Sequence, residues 1–178
     1  MSVITEEDKV LLHKAASFDE AALAEIYDRY QNPLYRYAMR LLGNRQLAED
    51  CISDTFLRFL RSLRNGSIPG ENLQAYLYRI SHNWIVDHYR RERFTEEIQE
   101  SDFPDGHENL ESLVILNLEG ERIRAAILSL TLEQQQVIML KYFEGWPNEE
   151  IALVINKSVG AVKALAHRSL RMLRKKFE

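Results

Sequence analysis

The chain has 178 residues, of which 46% are hydrophobic and 10% aromatic, and its formal net charge is −4. This composition supports one or two packed domains and excludes a disordered chain. A single cysteine, Cys51, excludes an internal disulfide framework, and no apolar run reaches the length that spans a bilayer. We therefore expect a protein of the reducing cytoplasm that does not insert into a membrane.

Charge is distributed unevenly along the chain. Residues 1–93 are neutral overall, residues 94–121 hold nine acids and no Lys or Arg, and residues 122–178 carry a net charge of +5. Because the acidity is confined to the middle, the negative total does not exclude binding to nucleic acid. The C-terminal part has the positive field that attracts it.

The N-terminal half of the chain shows helical periodicity and no period-two alternation. Residues 17–20 have capping-box spacing, which predicts a helix start at Ser17. Asn32-Pro33 predicts that this helix stops and restarts, and Gly43 predicts a C-terminal cap. From Leu47 to Leu63 apolar residues recur at helical spacing, and Asn65-Gly66 predicts the end of that helix.

A further helix, predicted over 72–93, has two faces of different chemistry. One face is an apolar stripe, while the other carries arginine and asparagine at steps of three and four. Guanidinium groups suit phosphate, amides can read base edges and aromatic rings can stack on bases. Core aromatics beside a solvated charged face explain the same pattern equally well. The residues on the polar face and at its end are Arg79, Asn83, Asp87, Arg90, Arg91 and Arg93.

The next segment separates two parts of the chain. Residues 95–111 contain seven acids, no Lys or Arg, a Pro and a Gly, which predicts an extended linker. Thr131 with Gln134 then has capping-box spacing. We therefore predict an all-α fold with two helical domains, 1–93 and 112–178, joined by an acidic linker over 94–111.

The stretch from Trp146 to Lys176 predicts a helix-turn-helix. Asn148 is expected to cap a short helix, Asn156-Lys157 to break it, and Ser158 to cap a second helix. The free face of the second helix is basic, with no acid before Glu178, and suits phosphate and base-edge contacts. An ordinary amphipathic terminal helix with a solvated basic face is the alternative.

Four segments, in the same order and at the same spacing, resemble the extracytoplasmic-function group of bacterial sigma factors. They are L-A-E-D-C-I-S-D-T-F-L-R-F-L-R, L-Q-A-Y-L-Y-R-I-S-H-N-W-I-V-D-H-Y-R-R-E-R, S-L-T-L-E-Q-Q-Q-V-I-M-L-K-Y-F-E-G and S-V-G-A-V-K-A-L-A-H-R-S-L. The resemblance implies that the N-terminal domain binds the beta-prime clamp of core RNA polymerase and opens the minus-ten element. It implies that the helix-turn-helix reads the minus-thirty-five element beside the beta flap. Promoter DNA and an inhibitory anti-sigma factor are further partners that it implies.

The resemblance also assigns individual residues to contacts. It implies that Asn83 reads a base edge, and that the loop 64–71 holds a base flipped from the non-template strand. It places the minus-ten contacts on the polar face described above. The contacts with core polymerase that it implies are Asp50, Ser53, Asp54, Phe56 and Arg58. The minus-thirty-five contacts that it implies are Ser158, Gly160, Lys163, Ala164, His167, Arg168 and Arg171.

The recognition helix departs from the family pattern V-G-T-V-K-S-R-L-H-R-A. This chain has Ala161 for the threonine, Ala164 for the serine and Leu165 for the arginine. We therefore predict a different preferred minus-thirty-five sequence, with Leu165 at the bases and more apolar contact with thymine methyl groups.

Other classes of protein fit the sequence less well. The five histidines are scattered, and no metal-ligand, phosphate-loop or nucleophile motif occurs, so we expect no catalytic residue, cofactor or metal. A helix-turn-helix transcriptional regulator, such as a response regulator, could share the C-terminal domain. The receiver half of a response regulator would need alternating strands and helices, which residues 1–93 lack. A helical adaptor that binds polymerase without reading DNA would not need the helix with arginine, asparagine and aromatic residues.

Overall fold

The computed structural model describes residues 6–67, 72–96 and 114–178, and within these ranges it contains helices and no strands. This confirms the predicted all-α class. None of the described helices is long and apolar enough to cross a bilayer. The helices are α1 (Glu6–Ala16), α2 (Glu20–Leu42), α3 (Arg45–Arg64), α4 (Leu73–Glu96), α5 (Val114–Leu128), α6 (Leu132–Ile138), α7 (Asn148–Ile155) and α8 (Val159–Phe177), and a π-helical segment (Met139–Phe143) follows α6.

The N-terminal helices α1 to α4 pack together into one helical unit. α3 lies against both α2 and α4, and α2 also contacts α4. Apolar residues at three- and four-residue spacing meet along these contacts and form a core that includes Leu34, Leu41, Ile52, Phe59 and Leu77.

The prediction that Asn32-Pro33 interrupts a helix was wrong, because α2 runs unbroken from Glu20 to Leu42. Ile26, Leu34 and Leu41, on both sides of Pro33, are fully buried. Burying this face along the whole length keeps the helix continuous despite the one hydrogen bond that proline cannot donate. The helix also starts later than predicted: Asp19, not Ser17, caps it, and its carboxylate accepts from Ala22 N at 2.8 Å.

The predicted ends of α2 and α3 are confirmed. Gly43 adopts the left-handed conformation, with φ of 61°, and its N–H donates to the carbonyl of Met39 at 2.8 Å. Asn44 then caps α3 by accepting from Leu47 N at 3.0 Å. α3 ends at Arg64, immediately before Asn65 and Gly66.

The C-terminal helices form a second unit in which α6, α7 and α8 pack on one another. Thr131 and Gln134 make the predicted capping box at the start of α6. The prediction that Asn148 caps α7 was wrong. Pro147 occupies the cap position without a side-chain bond, and the amide oxygen of Asn148 accepts from Lys141 Nζ at 2.6 Å.

The two units are packed against each other. α4 contacts α7, α2 contacts α5, and the buried apolar residues of both units form one continuous cluster. The predicted linker, 94–111, lies outside the described residues from position 97 onward, and so do residues 68–71 of the predicted loop.

A buried polar pair lies at the centre of the N-terminal unit. Tyr37 Oη lies 2.6 Å from His82 Nδ1, and both residues are buried. Burial raises the pKa of Tyr37 well above its ordinary value, so the phenol keeps its proton and forms a neutral hydrogen bond with the imidazole. Burial lowers the pKa of His82 from 6.5 to about 4. His82 is therefore a neutral core residue that is hydrogen-bonded to Tyr37.

This pair predicts a loss of stability in mild acid. His82 binds a proton near pH 6.5 in the unfolded chain but only near pH 4 in the folded chain. The free energy of unfolding therefore keeps its full value above pH 6.5 and falls as the pH is lowered from 6.5 to 4. The expected loss is roughly 3 kcal/mol, since one pKa unit corresponds to about 1.4 kcal/mol. Urea unfolding from pH 7.5 to 4 measures it. The free energy of unfolding should depend less on pH in His82→Gln than in wild type. His13→Gln, at an exposed site, should not reduce this dependence. Equal pH dependence in His82→Gln and wild type would contradict the assignment.

Candidate nucleic-acid interface

The seven residues predicted to contact the minus-thirty-five element share one exposed face at the start and middle of α8. At 3.6 residues per turn, the six of them that lie within α8 cover an arc of about 140°, and Ser158 precedes them as the cap of the helix. The opposite face is buried and packs on α6 and α7. The exposed residues are Ser158, Gly160, Lys163, Ala164, His167, Arg168 and Arg171.

Capping residues define the turn between α7 and α8. Asn156 ends α7 in the left-handed conformation, with φ of 54°, and the hydroxyl of Ser158 caps α8 by accepting from Ala161 N at 3.2 Å. Lys157, in the turn, pairs with Glu133 of α6 at 3.0 Å. The predicted turn residues therefore form the predicted helix-turn-helix and tie it to the rest of the unit.

Leu165 does not lie on the exposed face of α8, so the prediction that it faces the bases was wrong. Its exposed fraction is 7%, and it lies on the buried face with Val162, Ala166 and Ser169. Ala164, the next residue toward the N-terminus, is exposed beside Lys163 and His167. Leu165 is thus a core residue of the helix-turn-helix, whereas Ala164 lies on its exposed face.

The polar face predicted on α4 is also exposed. Arg79, Asn83, Arg90 and Arg91 lie in solvent and, at 100° per residue, fall within an arc of about 120°. The ring of Tyr76 adjoins this face, and the guanidinium carbon of Arg79 lies 5.8 Å from its centroid. Tyr76 has the spacing of the apolar stripe of this helix, yet it is only half-buried and adds an aromatic surface beside Arg79.

Asp87 differs from the other predicted minus-ten contacts because its charge repels phosphate. Its carboxylate lies 3.7 Å from a guanidinium nitrogen of Arg90, and its backbone carbonyl accepts from Arg91 Nε at 3.2 Å. The side chain of Asp87 therefore lies near Arg90, whereas the contact with Arg91 is made by the backbone. The side chain of Arg93, the remaining predicted contact, lies outside the described part of the chain.

The residues predicted to bind polymerase lie on α3. Asp50 and Ser53 are exposed, and the carboxylate of Asp50 accepts from Gln46 at 3.2 Å. Asp54 and Arg58 form an ion pair at 2.6 Å across one turn. The exposed surface of α3 is therefore acidic at Asp50 and mixed in charge one turn later.

Phe56 does not share this exposed surface, which corrects its prediction as a direct contact. Its exposed fraction is 8%, and its ring lies 4.8 Å from that of Tyr27 on α2. Leu57, the next residue, is 50% exposed and follows Ser53 and Asp54 by one turn. Sequence reasoning missed Leu57 because it counted the apolar residues of α3 as core, although the helical spacing places Leu57 with the acids.

The fold and these surfaces define a class: a helical protein with a helix-turn-helix, a second polar helix suited to nucleic acid, and a separate helix face of mixed charge around Leu57. Residues 26–95 match the family described as Sigma-70 region 2, and residues 120–173 match Sigma-70, region 4. The sigma factor SigL of Mycobacterium tuberculosis is 30% identical over 90% of this chain and 91% of its own length. The chain therefore belongs to the extracytoplasmic-function family of RNA polymerase sigma factors.

Other relatives agree with this membership. BldN of Streptomyces coelicolor is 31% identical over 92% of this chain, which spans 63% of the length of that relative. SigW of Bacillus subtilis is 30% identical over 89% of this chain and 90% of its own length. Among solved structures, CnrH in complex with the cytosolic domain of CnrY has the same fold, with a TM-score of 0.71 at 24% identity over 94% of this chain and 95% of CnrH.

Proposed function

We propose that this chain binds core RNA polymerase, directs it to promoter DNA and initiates transcription there, acting in the cytoplasm. The observation that carries the proposal is the coexistence of three exposed faces on three helices of one sigma-family chain: the face of α3 around Asp50 and Leu57, the arginine and asparagine face of α4, and the basic face of α8. The domain division that goes with it is 1–93, an acidic linker over 94–111, and 112–178.

The face of α3 is proposed as the site for the beta-prime clamp. Asp50, Ser53 and the Asp54–Arg58 pair surround Leu57, so an apolar side chain lies among polar and acidic groups. Interfaces commonly place an apolar anchor inside a polar rim, and complementary charge speeds association and sets specificity. A basic partner surface with an apolar pocket fits this arrangement.

The faces of α4 and α8 are proposed as the two promoter-reading surfaces. On α4, Asn83 reads a minus-ten base, while Arg79, Arg90 and Arg91 bind the backbone and the side chain of Asp87 pairs with Arg90. On α8, the N-terminal residues enter the major groove, and Lys163 and Arg168 supply the charged contacts. The beta flap and an anti-sigma factor are further proposed partners of these units.

Transcription from a promoter by core polymerase, with and without this chain, tests the proposal. Promoter-dependent transcripts that need the chain would support it. Polymerase binding without promoter selection would instead indicate an adaptor, and DNA binding without polymerase would indicate an ordinary helix-turn-helix regulator. Either of these two results would overturn the proposal.

Substitutions on α4 separate base reading from phosphate binding. Asn83→Ala should change base preference within the minus-ten element and lower open-complex formation, because an amide paired with a base edge carries roughly 1–3 kcal/mol of discrimination. Arg91→Ala should weaken binding to all sequences. It should also reduce the slope of log affinity against log salt concentration by about 1, the change expected for one lost phosphate contact. Binding to a panel of minus-ten variants at several salt concentrations distinguishes the two. A uniform loss for both variants would show that Asn83 does not read a base.

A further inference from the structure

The basic face of α8 extends beyond the first turns that are proposed to enter the major groove. Over its 19 residues the helix carries six Lys and Arg residues and no Asp or Glu. Three of these cations, Arg171, Arg174 and Lys175, lie in the C-terminal half of α8 and are exposed. We call them the C-terminal basic stripe. Of the three, only Arg171 belongs to the predicted minus-thirty-five contacts, so Arg174 and Lys175 have no assigned role.

The stripe is aligned with the residues at the start of the helix that are proposed to read DNA. Four exposed residues follow one another at steps of four, four and three, and at 100° per residue they fall within an arc of about 80°. They are Lys163, His167, Arg171 and Arg174. Lys175 lies about 40° from Arg171 on the same face, whereas Lys176 lies about 160° from Arg174 on the opposite side. A long partner that lies along this face, as a DNA duplex can, therefore meets the start of the helix and the stripe together.

The cations of the stripe have no carboxylate partner within the part of the chain that the structure describes. Five arginines on other helices, in contrast, each pair with a carboxylate; they are Arg29, Arg40, Arg45, Arg58 and Arg90. Arg171 lies three residues before Arg174 and four before Lys175, a spacing at which like charges on a helix repel each other. An anionic partner would relieve this repulsion.

The helix dipole accounts for only part of this pattern. Cations in the last turn interact favourably with the negative C-terminal end of a helix, and this applies equally to Arg174, Lys175 and Lys176. The effect falls off within the last turn, so it does not account for Arg171, which lies six residues before the end of α8. It also acts on every side of the helix, so it does not explain why the stripe is aligned with Lys163.

The length of the stripe indicates which part of DNA it would contact. Lys163 and Arg174 lie about 16 Å apart along the helix axis, whereas the major groove of B-form DNA is about 12 Å wide. A helix whose first turns read base edges therefore carries Arg174 and Lys175 to the sugar-phosphate strands that border the groove. Guanidinium and ammonium groups bind phosphate oxygens there and do not read sequence.

We propose that the C-terminal basic stripe binds phosphates of promoter DNA outside the base pairs that the first turns of α8 read. It contributes affinity and salt dependence and leaves the preferred sequence unchanged. This inference rests on the proposed function, because it requires that α8 binds promoter DNA. Alignment with the base-reading residues favours a nucleic acid over an acidic protein surface as the partner of the stripe.

Binding of the complex of this chain with core polymerase to a promoter duplex, measured from about 50 to about 200 mM salt, tests the proposal. Arg174→Gln combined with Lys175→Gln should reduce the slope of log affinity against log salt concentration by about 2, because each lost phosphate contact removes about 0.9. The ratio of wild-type to variant affinity should therefore fall about 10-fold over this range. The minus-thirty-five sequence selected from a randomised promoter library should stay that of wild type. A wild-type slope or an altered preferred sequence in the variant would overturn the proposal.

Lys175→Gln and Lys176→Gln form a matched pair, because the same substitution is made at adjacent exposed positions in the last turn. Both remove one charge and one favourable interaction with the helix dipole, but only Lys175 belongs to the stripe. Lys175→Gln should reduce the slope by about 1, and Lys176→Gln should leave it unchanged. Circular dichroism should show native helicity in both. Equal slopes in the two variants would contradict the proposal, because the side of the helix would then have no effect.

Neutral methylphosphonate linkages at single positions of the duplex locate the phosphates that the stripe binds. In wild type, linkages that flank the base pairs read by α8 should lower affinity. In the Arg174→Gln, Lys175→Gln variant the same linkages should have a much smaller effect, because the side chains that pair with those phosphates are already absent. If each linkage lowers the affinity of wild type and variant by the same factor, the stripe does not contact phosphate.

The same measurements separate this inference from the proposed function. A wild-type polymerase complex that does not bind promoter DNA would contradict the proposed function itself. Promoter binding by wild type, with wild-type slopes in the stripe variants, would overturn only the phosphate contacts of the stripe. Variants that bind the promoter as wild type does but support less transcription would indicate an acidic protein partner, and this result too would overturn the proposal.

Discussion

Asp50→Lys combined with Asp54→Lys should lower the affinity of the chain for core RNA polymerase by more than about 100-fold, equivalent to about 3 kcal/mol. The two residues lie one turn apart beside the exposed Leu57, so both charges face the same partner surface. Reversal replaces two attractive contacts with like-charge contacts, each of which costs several kcal/mol at an interface. Co-purification and a binding titration with labelled core polymerase measure the loss.

The fold should survive this change. Asp50 is exposed, and the Asp54–Arg58 pair is partly exposed, so its loss should cost only about 1 kcal/mol. A matched control reverses Asp28 on α2 and Glu121 on α5, two exposed acids on other helices, and changes the net charge by the same amount. If control and test variants lose affinity equally, overall charge and not the α3 face determines binding.

Leu165→Arg should unfold the helix-turn-helix or destabilise it by roughly 3 kcal/mol or more. Leu165 is on the buried face of α8, and the substitution removes its apolar contacts and places a guanidinium among Val162, Ala166 and their neighbours on α6 and α7. Urea unfolding followed by circular dichroism measures the change. Binding to minus-thirty-five DNA should fall together with stability.

The adjacent substitution, Ala164→Arg, is the matched control because it adds the same side chain to the exposed face. It should leave stability within about 0.5 kcal/mol of wild type, as surface substitutions commonly do. It should also strengthen binding to DNA and shift the preferred minus-thirty-five sequence, measured by selection from a randomised promoter library. A stable Leu165→Arg protein with a shifted preference would show that the register of α8 is wrong.

Much of the fold could be predicted from residues that are neighbours along the chain. Gly43, Thr131 and Ser158 act as the helix caps that their types and spacing predicted, and Asn156 breaks α7 as expected. Capping depends on hydrogen bonds within three or four residues, so the local sequence contains the information. Asn148 shows the limit, because its side chain bonds to Lys141 and not to its own helix.

The candidate site was predictable to a similar degree. The exposed faces of α4 and α8 carry the arginine, asparagine and lysine residues that helical spacing had grouped together. The errors concerned apolar positions at the edges of those faces. Phe56 and Leu57 are adjacent and both apolar, yet the first is buried against Tyr27 and the second is exposed. The family pattern likewise indicated a DNA-facing residue at position 165, where the structure places a core leucine.

The sequence by itself determined the helical class, the helix-turn-helix, the caps and the segregation of charge, because periodicity, capping and charge depend on residue type and on short separations along the chain. The tertiary structure alone decided which apolar residues are buried, whether α2 continues through Pro33, and that Arg40 meets Glu144 while Arg124 lies over Gly43. These outcomes depend on which helix arrives from a distant part of the chain. Burial and ion pairing follow the packing of such helices, and no local pattern specifies the packing partner.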